Sequence, residues 1–235
     1  MQESFDLNGI KIYVSDDHRF GTDAFLLADY AGVRASHKVC DLCTGCGIIP
    51  LIMCRRNPPK EIYGIEIMEE AVELFERSVA ENGLSDVVKP VCCDLKKLVG
   101  VPNEYFDIVT VNPPYWKKGS GEERLSETQA AARHEILCDI NDVVKASAKL
   151  LKYGGTLKMC QIPLRLADVI CSMRENGIEP KSVTPVVNRI GEKPWLFLIS
   201  GKKGGKSGME ITPEFAVYGA DGKYTEQMQK IYDIN

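Results

Sequence analysis

The chain has 235 residues, 44% of them hydrophobic and 26% charged, with a formal net charge of −4. That suits one soluble α/β domain, and the net charge by itself gives no hint of a nucleic-acid partner. No apolar run approaches the ~18 residues of a membrane helix, and "MQESFDLNGIKIYVSDD" lacks the basic start and apolar middle of a signal peptide, so the cytosol is the expected location.

From residue 38 onward, strand and helix patterns alternate. "KVCDLCT" reads as a strand running into a glycine loop, and "IIPLIMCRR" as a helix with Pro50 tolerable in its first turn. "EIYGIEI" is a second strand. "MEEAVELFERSVAENGL" is an amphipathic helix with Ala71, Leu74, Phe75 and Val79 at helical spacing, an acidic first turn, and Asn82 and Gly83 as its stop. "VVKPVCCDL" is a third strand whose Pro90 places it at an edge or near a strand start. "YFDIVTVN" is a fourth strand, "DINDVVKASAKLLKYGG" a helix ending at a glycine pair, and "TLKMCQI" a fifth strand. A helix "LRLADVICSMRENG" and strands "KSVTPVV" and "PWLFLISGKK" follow. Then come a loop "GKKGGKSG" and a short tail helix "YTEQMQKIY" with Thr225 as its cap. Alternation of this kind predicts a doubly wound, mostly parallel sheet with ligands at the carboxyl ends of its strands.

Nine cysteines, odd in number and irregular in spacing, argue against a disulfide framework. Cys40, Cys43 and Cys46 have C-x-x-C-x-x-C spacing. An iron–sulfur run would need a fourth Cys where Pro50 stands, so they read as packing around the glycine loop and no metal is expected.

Four motifs fall at strand ends. "DLCTGCG", Asp41 to Gly47, is a strand–loop–helix glycine turn, with Gly45 and Gly47 permitting close approach of backbone to ligand. Glu66 follows about 20 residues later, where an acid accepts both ribose hydroxyls of an adenosine. Asp94 ends the third strand, where a carboxylate can accept from an adenine amine. Together the three describe an adenosine-bearing cofactor with no phosphate to cradle. The fourth is "NPPY", Asn112 to Tyr115. An exocyclic purine amine is a poor nucleophile because its lone pair is drawn into the ring. The Asn112 side-chain oxygen and the Pro113 carbonyl supply two acceptors for its two hydrogens. Pro113 and Pro114 freeze the backbone around them, and Tyr115 offers a face for the base.

This set resembles the class I S-adenosylmethionine-dependent methyltransferases with an NPPY motif, over nearly the whole chain. The resemblance implies a Rossmann-like fold with a seven-stranded sheet whose last strand runs antiparallel. It implies a segment 1–37 packing over the cofactor site and a methyltransferase domain over 38–235. "RFGTDAFLLADYA" is similar to the segment that lies against the methionine end of the cofactor in that family, so Gly21, Thr22 and Asp23 would contact or order it. Asp41, Cys43, Gly45, Gly47, Glu66 with Ile67, Asp94 with Leu95, and Asn112 would hold the rest. Cys43 and Cys46 depart from the Gly, Ala or Ser more usual in that loop. "FGTDAFLLADYA", "NPPYWKKG", "AARHE" and "VYGADGKYTEQMQKIY" further resemble bacterial tRNA adenine methyltransferases acting next to the anticodon of a valine tRNA. The implied partner is tRNA.

Charge is unevenly spread: residues 1–116 carry 11 Lys and Arg against 18 Asp and Glu, and 117–235 carry 18 against 15. Expected RNA contacts are therefore Tyr115, Trp116, Lys117, Lys118, Arg133, Lys202, Lys203 and Lys206. A protein-glutamine methyltransferase fits the same acceptors but usually has a helical N-terminal domain, and only about 37 residues precede the first strand here. A DNA adenine methyltransferase would bring a target-recognition domain. A cofactor-binding protein without catalysis is the alternative of a different class.

Overall fold

The computed structural model describes residues 2–16, 20–55, 58–113 and 138–233. A hairpin, β1 (Gln2–Asp6) and β2 (Lys11–Ser15), precedes α1 (Thr22–Tyr30). The alternating part follows: β3 (Lys38–Leu42), α2 (Ile48–Cys54), β4 (Glu61–Glu66), α3 (Glu69–Glu81), β5 (Val88–Cys92) and β6 (Phe106–Val111). Next come α4 (Ile140–Leu150), β7 (Leu151–Gln161), α5 (Leu166–Glu175), β8 (Ile178–Val187) and β9 (Leu196–Lys203). Two short strands, β10 (Glu210–Ile211) and β11 (Phe215–Ala216), lead to α6 (Glu226–Tyr232).

The sheet order is β10-β8-β9-β7-β6-β3-β4-β5, with β11 also on β8. The seven expected strands are thus present, widened to nine by two two-residue strands at one edge. β9 runs antiparallel to both β7 and β8, as the family resemblance implies. Among the described residues β5 pairs only with β4, so Pro90 sits on an edge strand, where no ladder bond is lost for want of its N–H.

Successive side chains of a strand point to opposite faces, and the buried residues sort accordingly. Leu196 and Leu198 of β9 join one apolar layer with Leu27 of α1, Leu51 of α2 and Phe75 of α3. Phe197 and Ile199 join the other with Val144 of α4 and Met173 of α5. Ala71, Leu74, Phe75 and Val79 form the buried stripe of α3, as their spacing predicts. α4 begins at a capping box, Asp139 accepting from the Asp142 N–H and Asp142 from the Asp139 N–H.

Two features differ from the sequence expectations. The helix expected to end at the glycine pair stops at Leu150, and Leu151 is already extended and paired with Phe106. The ladder then slips before Ile108 meets Thr156, and the glycines lie in that irregularity. Gly155 fits there because an added Cβ would sit 2.9 Å from the Lys152 carbonyl and 3.0 Å from that of Phe106. The second difference is the N-terminal hairpin. It packs on α3, where the Tyr13 N–H donates to Ser78 Oγ at 2.9 Å and the Lys11 N–H to Asn82 Oδ1 at 2.9 Å. Among the described residues no helix is long and apolar enough to cross a membrane.

Candidate active site at the strand ends

The floor of the site is the loop between β3 and α2. Asp41, next to last in β3, is completely buried and accepts from Thr44 Oγ1 at 2.6 Å and Thr110 Oγ1 at 2.5 Å. Burial pushes its carboxyl up to about 7, against the pull of the two hydroxyls and helped by the nearby Glu66 charge. Asp41 therefore braces the loop from beneath rather than facing a ligand. The loop turns through left-handed conformations at Cys43 (φ 56°), Gly45 (φ 56°) and Gly47 (φ 82°). Gly47 serves packing: a Cβ there would overlap the Phe75 ring, which also lies against Gly64 of β4. Strand, loop and helix meet closely only because both residues lack a side chain.

Glu66 closes β4 and is almost fully buried. Its Oε2 accepts from the Gly45 N–H at 3.0 Å, and Oε1 from the N–H groups of Ile67 at 2.9 Å and Met68 at 3.1 Å. One carboxylate thus ties the glycine loop to the entry of α3. Beside it opens a shallow cleft lined by Cys43, Ile65, Glu66, Ile67, Cys93, Asp94, Leu95 and Cys138. Asp94 lies two residues beyond β5, its Oδ1 accepting from the Lys96 N–H at 2.9 Å.

The chemistry of this lining fits S-adenosylmethionine. Ile65, Ile67 and Leu95 give apolar walls for a flat base. Glu66 and Asp94 are acceptors for sugar hydroxyls and ring amine hydrogens. No Lys or Arg is among the described lining residues, which suits a cationic nucleoside and not a phosphorylated one.

Asn112 stands next to this cleft. It follows Val111 of β6, which is paired with Leu42, the residue before Cys43. Its Nδ2 donates to Asp23 Oδ2 at 2.9 Å, and its Oδ1 accepts from Cys160 Sγ at 3.1 Å. An ionised carboxylate only accepts, so Asp23 fixes which end of the amide is nitrogen. Asp23 is presented by the first turn of α1, whose N-cap is Gly21. The neighbouring Thr22 Oγ1 lies 2.8 Å from Tyr232 Oη, and Phe25 packs on the Tyr232 ring at 4.7 Å between centroids. Gly21, Thr22 and Asp23, expected to touch or order the cofactor, stand at the start of α1, where Asp23 also supports Asn112. Pro113 is buried behind it.

Other expected contacts fall elsewhere. Lys202, Lys203 and Lys206 do not join the site. Thr156 pairs with Lys202, whereas Gln161, at the site end of β7, pairs with Phe197. Five strand residues, about 17 Å, separate the two ends. Lys203 is also engaged, donating to Glu104 Oε1 at 3.1 Å and to the Leu151 carbonyl at 2.8 Å. The three lysines share an apparent basic cluster in sequence, but antiparallel β9 carries them away from the strand ends that hold Asn112. Pro114, Tyr115, Trp116, Lys117, Lys118 and Arg133 lie outside the described residues.

Sequence reasoning missed Cys160, Thr44 and Thr110, all contributors to the site. Cys160 could have been found as the strand-end residue of "KMCQI", the strand expected beside the one ending in Asn112. Thr44 lies inside the glycine motif and Thr110 two residues before Asn112, but neither carries a sequence signal that it braces Asp41.

The strand order and the antiparallel β9 are those of the Rossmann-like methyltransferases, and the chain is an enzyme of that class. More particularly, it belongs to the methyltransferase small domain family, whose model matches residues 12–163. A tRNA1(Val) (adenine(37)-N6)-methyltransferase of Aeromonas hydrophila is 25% identical over 211 residues, covering 89% of this chain and 86% of its own. The enzyme of that name from Bacteroides thetaiotaomicron is 29% identical over 187 residues, 77% of this chain and 76% of its own. In fold, the chain is similar to a crystal structure of a predicted O-methyltransferase from Agrobacterium tumefaciens. There the TM-score is 0.73 with 19% identity, over 90% of this chain and 95% of that one.

Proposed function

We propose that this enzyme transfers a methyl group from S-adenosylmethionine to the exocyclic amine of an adenine in the anticodon-loop region of a tRNA. The names of the Aeromonas and Bacteroides relatives support the substrate class. The observation that carries the chemistry is the held amide of Asn112, at a strand end beside the acidic nucleoside cleft.

S-adenosylmethionine supplies an electrophilic methyl group when bound. Glu66 and Asp94 would hold its adenosine half. Asn112 Oδ1 and the Pro113 carbonyl accept the two amine hydrogens of the target base, which localises the nitrogen lone pair. Asp23 prevents the amide from flipping and presenting Nδ2, which would repel those hydrogens. The geometry is set before substrate arrives, so little reorganisation is needed as the nitrogen turns tetrahedral. A strong base is not required, because the methylated nitrogen becomes acidic and releases its extra proton to water. A loop adenine suits such a site because it can leave its stack and enter a pocket.

The test is mass-spectrometric nucleoside analysis of unmodified tRNA incubated with the protein and S-adenosylmethionine. N6-methyladenosine is expected, and its absence overturns the reading. Asn112→Ala should lower the single-turnover rate about 10²–10³-fold, the typical loss of an oriented transition-state partner. A wild-type rate would reduce the corner to a turn.

A further inference from the structure

Two tyrosines near the C-terminus are stacked on each other at the site end of the sheet, and the functional reading gives them no role. Tyr218 lies two residues past β11, and its N–H donates to the Asn188 carbonyl at 2.8 Å, one residue past the carboxyl end of β8. β8 and β7 both run antiparallel to β9, so their carboxyl ends share one edge, the one that holds Asn112. The chain then turns back, and Tyr224 bridges to Tyr218 in antiparallel register. The two rings lie 5.2 Å apart between centroids and within 15° of parallel. Both are half-exposed.

We propose that Tyr218 and Tyr224 form a stacking platform for an unpaired nucleobase of the tRNA, beside the adenine that Asn112 receives. The proposal rests on the tRNA reading made above.

The platform is built before RNA arrives. The Gly219 N–H donates to the Lys223 carbonyl at 2.8 Å, the Gly222 N–H to the Gly219 carbonyl at 3.0 Å, and the Thr225 N–H to the Val217 carbonyl at 3.0 Å. Gly222 takes the left-handed conformation (φ 77°) that so tight a turn needs. These bonds fix the backbone on both sides of the rings. A parallel pair held in this way offers flat aromatic surface to solvent, and any base can stack on such a surface because every base has a π-face.

Two features point to RNA as the occupant. The Arg189 guanidinium stands 5.9 Å over the Tyr218 ring, and Lys193 lies in the same β8–β9 connection, whose only acid is Glu192. Arg189 meets Glu192 Oε1 at 3.5 Å, but both side chains are exposed, so the pair holds weakly and the guanidinium is free to turn to a phosphate or to cover a base. The second feature is continuity with the amide that meets the target. The Tyr224 ring lies 5.3 Å from that of Tyr232, Tyr232 Oη lies 2.8 Å from Thr22 Oγ1, and the next residue, Asp23, holds Asn112. A line of touching side chains thus joins the stacked pair to Asn112. An adenine splayed out of a loop into the site leaves its unpaired neighbour within reach of this line.

The experiment measures binding of an unmodified valine tRNA transcript to the full chain by filter binding across a salt series, at a temperature where circular dichroism shows every variant folded. Tyr218→Leu and Tyr224→Leu keep apolar bulk but remove the flat face. Tyr218→Phe and Tyr224→Phe keep the face and lose only the hydroxyl. Each leucine variant should bind about fivefold or more weakly, the smaller end of a lost base stack, and each phenylalanine variant within about twofold of wild type. The slope of log affinity against log salt should stay as in wild type, because a lost stack changes no phosphate contact. Calorimetric affinity for S-adenosylmethionine should be the same in all four variants. The proposal is overturned if the leucine variants bind tRNA as wild type does, if the phenylalanine variants lose as much as they do, or if the loss comes with a flattened salt slope or with lost cofactor affinity. A wild-type chain that binds tRNA in the expected pattern but forms no N6-methyladenosine would overturn the methylation reading and leave the platform standing. One that methylates tRNA yet is indifferent to both tyrosines would overturn the platform alone, and one that binds no tRNA would overturn both.

Discussion

Asn112 is an ordinary residue in an unusual bracket. Asp23 holds its nitrogen and Cys160 approaches its oxygen, so the amide has one orientation. Asp23→Ala should release it to rotate. The single-turnover methylation rate is expected to fall about tenfold or more, less than for Asn112→Ala, while calorimetric affinity for S-adenosylmethionine stays within about twofold. A rate loss that tracks lost cofactor affinity would return Asp23 to the cofactor site. Asp41 illustrates burial at the same scale. Its carboxyl ordinarily titrates at 3.8 and is raised in the fold to about 7. Between these values the folded state holds a proton that the unfolded chain has released. Its contribution is therefore greatest below about pH 4 and declines as pH rises toward 7, by at most about 1.4 kcal/mol per pH unit. Comparing urea unfolding of wild type and Asp41→Asn at several pH values should show this slope in wild type and its loss in the variant.

Between residue and domain, the glycine loop works as a joint. β3, α2 and α3 converge where the Phe75 ring fills the space left by Gly47 and Gly64. Gly47→Ala would force both a left-handed alanine and a clash with a fully buried ring. Strain and overpacking together cost roughly 2–5 kcal/mol. In a chain of this length that corresponds to a fall in Tm of about 5–15 °C. Thermal melting by circular dichroism tests this, and an unchanged Tm would mean that the loop can be remodelled around Phe75.

The whole molecule separates two ends of one sheet. Asn112, Glu66 and Asp94 occupy the carboxyl ends of the parallel strands, and Lys202, Lys203 and Lys206 the opposite rim. Arg189 and Lys193, in the β8–β9 connection, stand on the Asn112 side, because Val186 pairs with Leu196 at that end of the sheet. If the proposed tRNA substrate is right, phosphate contacts near the target base are expected from the latter pair. Arg189→Ala with Lys193→Ala should weaken tRNA binding and flatten its salt dependence. The triple alanine variant at Lys202, Lys203 and Lys206 should change both much less. Filter binding across a salt series distinguishes these, and the reverse order would place the RNA on the far rim.

Local pattern determined most of the architecture. Hydrophobic period set the alternation of strands and helices, Pro90 marked an edge, and Thr225 capped α6 as its chemistry predicts. The acids and the asparagine at strand ends were legible because the topology of parallel sheets places ligands there whatever the rest of the chain does. The N-terminal hairpin was not read from the sequence, although Asn8 and Gly9 adopt the left-handed turn that such a pair favours. What only the tertiary structure decided depended on distance through space. Asp23 is bonded to Asn112 across 89 positions of sequence, and Thr22 lies beside Tyr232 across 210. The direction of β9, set by its pairing on both sides, carried a basic cluster away from the site that its sequence position suggested. Periodicity reports which face of an element is buried. It does not report which other element covers that face, or at which end of the sheet a loop emerges.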